Sequence, residues 1–155
     1  MGKADERVAS LAVTRNKGQE QALRQSDLVR NLVILFLTLQ GVGTFVWWAL
    51  LFLIPVARAP FIAPGAPDST LLAFLVPDLL IYAGGALVAA YGLLRRNAWA
   101  WPALCVNAGA AVYAALYALT LPLLSGGGWL GALMMLPSFV VLPAAVWLLR
   151  PERPL

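Results

Sequence analysis

Residues 71–94 read LLAFLVPDLLIYAGGALVAAYGLL, and Asp78 is the only charge among them. A helix crosses the hydrocarbon core of a bilayer in about 20 residues at about 1.5 Å each, so this run is long enough to span. Residues 32–55, 99–124 and 129–149 form three more runs of the same kind. Together they predict an all-α, polytopic membrane protein. The expected architecture is an up-and-down bundle of four transmembrane helices over residues 31–150, with an N-terminal segment, 1–30, and a short tail, 151–155.

Composition agrees. Of the 155 residues 61% are hydrophobic and 12% charged, and the mean hydropathy is +0.80. A soluble domain of this length needs far more polar surface, and the length suits one domain. The net charge of +4 is not arranged for nucleic acid. Lys3, Arg7, Arg15, Lys17, Arg24 and Arg30 precede the first run, Arg95 and Arg96 divide the second from the third, and Arg150 and Arg153 follow the fourth. All fall on one side of the spans, whereas the other side has Arg58 alone, with Asp68. The positive-inside rule then puts both termini and the second loop in the cytoplasm, in a multi-pass protein of the cell (inner) membrane whose first partner is the lipid bilayer. Trp47, Trp48 and Trp129 sit near the outer level, and Trp99, Trp101 and Trp147 near the inner one, the two depths where indoles are favoured.

The first run begins too late, and is too long, for a cleavable signal peptide. The preceding segment is polar and mixed in charge, and reads as a surface-lying helix or a disordered arm. Two connections are minimal: Arg-Arg-Asn at 95–97 and Ser-Gly-Gly-Gly at 125–128. Spans two, three and four are therefore expected to be antiparallel neighbours. The first outer loop carries Pro60, Pro64, Gly65 and Pro67 and reads as an irregular, fairly stiff cover.

Small and polar residues mark the faces that helices bury against each other in lipid. Span two has the stripe Asp78, Tyr82, Gly85, Ala89, Gly92. Span three has Asn107, Ala111, Ala114, Ala118. Span one offers Gln40, Thr44 and Trp47 with Gly43 beside them, and span four Gly131, Met135, Ser138 and Leu142. Pro77, Pro137 and Pro143 lie inside spans, where each removes an amide donor and frees a carbonyl that a neighbouring helix or a cavity must satisfy.

Asp78 asks for an explanation of its own. It lies roughly 10 Å below the outer boundary, from seven residues at the helical rise. A short aspartate snorkels poorly, so it belongs against the bundle interior or a wet cavity. Arg58 is the only basic residue able to descend toward it. Tyr82 is one turn away, Tyr113 and Ser138 are expected at similar depth, and Asn107 and Gln40 lie deeper, where they can pair. A polar track Asp78, Tyr82, Asn107, Gln40 follows. Asp78 is either a protonatable or ligand-binding site or a group that holds the bundle in register through hydroxyls.

Chemistry is otherwise sparse. There is no histidine, and Cys105 is the only cysteine, which excludes an intrachain disulfide and a multi-cysteine metal site. No second carboxylate pairs with Asp78, and no phosphate-binding glycine loop precedes a helix. An enzyme, a metal and a cofactor are not expected. Four-span size with an intramembrane acid is similar to the small multidrug transporters, but their characteristic acid lies in the first span and this one in the second, so no residue role carries over. The expected function is a small accessory or scaffolding subunit, or a binder of an apolar ligand or lipid. Its expected partner is another membrane protein or a second copy. The alternative is a homodimeric, proton-coupled carrier of a small solute using Asp78.

Overall fold

Apolar runs of this length leave the backbone no partner in lipid but itself, so each becomes helical. A computed structural model describes residues 2–151, with side chains from Arg24 to Pro151. The described residues contain helices and no strand. Helix α1 is Gly2–Leu53; a 3-10 segment, Pro55–Phe61, follows. Two short helices, α2 (Ser69–Leu72) and α3 (Leu75–Pro77), lead into a π-helical segment, Asp78–Ala83, and then α4 (Gly84–Leu94). Helices α5 (Ala100–Ser125) and α6 (Trp129–Leu148) complete the chain. Four stretches are long and apolar enough to cross a membrane: Arg24–Leu53, Ser69–Leu94, Ala100–Ser125 and Trp129–Leu148.

No helix end separates the expected N-terminal segment from the first span, because α1 runs through residue 30 unbroken. At 52 residues it is about 78 Å long, well beyond the ~30 Å of a hydrocarbon core. The expected tail lies outside the described residues except for Pro151.

The helices pack α1 against α4, α4 against α5, and α5 against α6, whereas α1 and α6 touch only lightly. Alanine lines the shared faces: Ala86, Ala89 and Ala90 of α4, Ala108 and Ala111 of α5, and Ala145 of α6 are all buried. Small side chains permit the close approach from which helix pairs in lipid gain their dispersion energy. Gly41 of α1 and Gly92 of α4 are two tight points within the helices. A Cβ on Gly41 would lie 2.6 Å from Leu87 Cγ, and one on Gly92 2.6 Å from the Trp99 ring. The outer surface is leucine, valine and phenylalanine, with Leu39, Val106, Leu124 and Val140 each more than half exposed, as a lipid-facing surface requires.

Local chemistry ends the helices. Helix α4 closes with Arg96 N–H on Leu93 O at 3.2 Å and Asn97 N–H on Gly92 O at 3.0 Å, the paired bonds of a Schellman cap. The cap puts Arg96 at φ 53°, where glycine is usual. Helix α5 closes on Gly126, left-handed at φ 74°, whose N–H reaches Pro122 O.

Two apolar clusters result. One joins Val33 and Leu37 of α1 to the alanines of α4 and α5 and to Leu142 of α6. The other joins Trp48, Leu51 and Leu71 to Phe61 and Phe74. The first loop, expected to be irregular, begins as the 3-10 segment and packs inward: Phe61 meets the Trp47 ring edge-on at 5.3 Å. A cavity is lined by residues of both clusters.

Candidate functional site

The cavity, about 440 Å³, takes its walls from α1, α5 and α6, and its base from the π segment. Its lining is mostly apolar, with Trp47, Phe61, Phe74, Tyr117 and Met135 prominent and Asp78, Gln40, Thr44, Tyr82 and Ser138 as its polar groups. Leu39 on α1 and Met134 on α6 line it too, yet are 63% and 49% exposed. The cavity therefore opens sideways along the loose α1–α6 contact, toward the apolar surface.

The base is built by Pro77. Having no N–H, it cannot continue the helical ladder, and after it the helix widens. Gly84 N–H reaches back five residues to Leu79 O, which is the π pattern. Such a turn leaves carbonyls needing outside donors. Asn107 Nδ2 donates to Tyr82 O at 3.0 Å and Ile81 O at 3.3 Å, and Gln40 Nε2 to Tyr82 O at 3.4 Å. The expected Asn107–Gln40 pair is thereby corrected: both amides spend their donors on the same widened turn.

Asp78 is 7% exposed, and its Oδ2 accepts the Trp48 indole N–H at 3.2 Å. Its Oδ1 has no hydrogen-bond partner among the described residues. Arg58 does not descend to it. The guanidinium is held in its own loop, with Nη1 2.9 Å from Asp68 and Nε donating to Leu51 O at 3.0 Å. Nor does the expected track continue from Asp78 to Tyr82. The Tyr82 hydroxyl instead lies 2.6 Å from Ser138 Oγ, which ties the second span to the fourth. Tyr113 is 73% exposed and lies off the cavity, because its position on α5 turns it away from the buried Asn107–Ala111 face.

Span one is rotated from the expected face. Val33, Leu37, Gly41, Trp48 and Leu51 are its buried positions, and the expected Gln40, Gly43, Thr44 and Trp47 form the flank that lines the cavity. Two atoms on that flank, Gln40 Oε1 and Trp47 Nε1, are buried without partners. Sequence reasoning missed Trp48 as the partner of Asp78, reading it as an interfacial ring. The signal that identifies it is helical phase: Trp48 is seven residues from Gly41 and eleven from Leu37, on one face of α1.

The described residues hold no group of three or more histidine, cysteine or acidic side chains able to share a metal. The arrangement can enclose a mostly apolar molecule and meet its polar end with one carboxylate and a few neutral groups. The chain matches no family model, no curated protein and no solved structure.

Proposed function

We propose that this is a multi-pass protein of the cell membrane, a four-helix bundle with both termini cytoplasmic, that binds a small, largely apolar ligand or lipid between its spans. The cavity carries this reading. It is within the size range of small-molecule sites, apolar with a few convergent polar groups, and it opens toward the surface that lipid would cover. The lining has no second carboxylate, histidine or cysteine to accompany Asp78 and the hydroxyls of Thr44, Tyr82 and Ser138, which supports binding rather than catalysis.

Native mass spectrometry of protein extracted gently from its own membrane tests the reading. Ala114 lines the cavity from α5, so Ala114→Phe fills it. The wild type is expected to carry one small molecule per chain that Ala114→Phe lacks. Identical lipid profiles in both would remove the ligand reading. A second polypeptide at fixed stoichiometry, retained by Ala114→Phe, would move the scaffolding role to first place.

A second reading, proton-coupled transport by a homodimer, is favoured by the placement of Asp78 on the cavity wall. It requires that Asp78→Asn abolish solute uptake driven by a pH gradient in proteoliposomes; unchanged uptake would end it.

A further inference from the structure

We propose, resting on the cavity as a ligand site, that its ligand is a primary amine on an apolar body, seated with its ammonium group against Asp78. A carboxylate withdrawn from water needs a proton or a cation. Asp78 is 93% enclosed and lines the cavity, with Oδ2 committed to Trp48 and no hydrogen bond on Oδ1 among the described residues. Among the described residues no basic side chain serves it. Arg58 is committed to Asp68 and Leu51 O. Arg24 and Arg30 lie in the first two turns of the first span, and Arg95, Arg96 and Arg150 just past the ends of the second and fourth, all remote from Asp78 along the helices. In this proposal the occupant's cation supplies the compensating charge.

The surroundings select the kind of cation. Trp47, Phe61 and Tyr117 line the cavity, and a cation is attracted to the face of such rings. Gln40 on the same lining has a buried Oε1 without a hydrogen-bond partner. Asp78 and Gln40 Oε1 are both acceptors on the lining, and a protonated primary amine carries three N–H groups to offer such acceptors. A quaternary ammonium has none, an alcohol has one donor and no charge, and a carboxylate is repelled. The remaining lining is apolar and opens between Leu39 and Met134, so an alkyl tail can leave the cavity into lipid.

The test uses the full chain in phosphatidylcholine nanodiscs, titrated by native mass spectrometry with dodecylamine, dodecanol, dodecyltrimethylammonium and dodecanoate. One dodecylamine per chain is expected, at concentrations about tenfold below those for dodecanol, the ratio of a charge-assisted to a neutral hydrogen bond. Asp78→Asn keeps an oxygen for the Trp48 N–H and is expected to erase that preference while still binding dodecanol. If dodecylamine and dodecanol bind wild type equally and Ala114→Phe blocks both, the cavity is a ligand site and the amine is wrong. If Ala114→Phe affects no probe, the ligand site itself fails. Should Asp78→Asn not fold, the ranking of the four probes on wild type still decides. Repeating the titration with phosphatidylethanolamine in the disc locates the amine: displacement of dodecylamine from wild type places it on a lipid headgroup, and no displacement places it on a free molecule.

Discussion

Trp47 and Trp48 are adjacent in sequence and opposite in what they do. A helix turns about 100° per residue, which sends Trp48 to the packed face, 2% exposed, with its N–H on Asp78. Trp47 faces the cavity with its N–H unpaired. Trp48→Phe leaves the carboxylate without its donor and is expected to lower stability by about 1–2 kcal/mol. Trp47→Phe removes a buried donor that bonds to nothing, so its cost is expected to be smaller. Thermal unfolding of the two variants in one detergent compares them directly, and equal losses would contradict the assigned bond. Gly41 and Gly43 make a second pair. A Cβ on Gly41 meets Leu87 and lies 3.1 Å from Ala83 O, whereas one on Gly43 meets nothing within 4 Å. Gly41→Ala is expected to destabilise by about 1–3 kcal/mol through overpacking. Gly43→Ala should be neutral or stabilising, since alanine favours the helix. Asp78 stands out in the sequence because charge inside an apolar run is expensive. Its partner was not legible there, because two neighbouring indoles look alike until the phase of α1 is known, and Gly41, the small residue that sets that phase, is less conspicuous than Gln40 and Thr44.

Within the second span, a proline predicts a break but not its form. Pro77 removes one donor wherever it stands. Whether the helix then kinks or widens depends on donors from other helices, here Gln40 of α1 and Asn107 of α5, both directed at Tyr82 O. That dependence on tertiary partners is why the π segment was not legible locally, while the need for outside donors was. Asn107 is fully buried and serves two carbonyls; Gln40 serves one, at the longer distance of 3.4 Å. Asn107→Ala is therefore expected to cost about 1–3 kcal/mol and Gln40→Ala less. The two share an acceptor, so their effects should not add: with both removed, Tyr82 O loses its last side-chain donor, and the double variant should lose more than the sum. A double-mutant cycle on unfolding in detergent measures the coupling, and strict additivity would mean that the two amides do not act on a common group.

Across the whole molecule, hydropathy and charge act as sums over many residues, which is why the four spans were legible without a structure. The α1–α6 opening was not, since it depends on which helix pairs fail to touch. One contact links the basic ends independently of any counting rule. Asp27, near the start of the first span, lies 2.9 Å from Arg30 and 3.2 Å from Arg96 in the loop after α4. Those two basic segments thus share one end of the molecule, and Arg58 with Asp68 marks a separate loop between the first and second spans. Arg95 over Tyr91 and Arg150 over Trp147 add cations on aromatic rings at the termini of α4 and α6, as expected where a helix meets headgroups. If the arginine-rich end is cytoplasmic, a thiol at Ser125, in the turn before α6, faces outward, and one at Asn97 faces inward. In a Cys105→Ser background, a membrane-impermeant maleimide applied to intact cells is expected to label Ser125→Cys at once and Asn97→Cys only after permeabilisation. The reverse pattern would invert the protein in the membrane and place Asp78 nearer the cytoplasmic face.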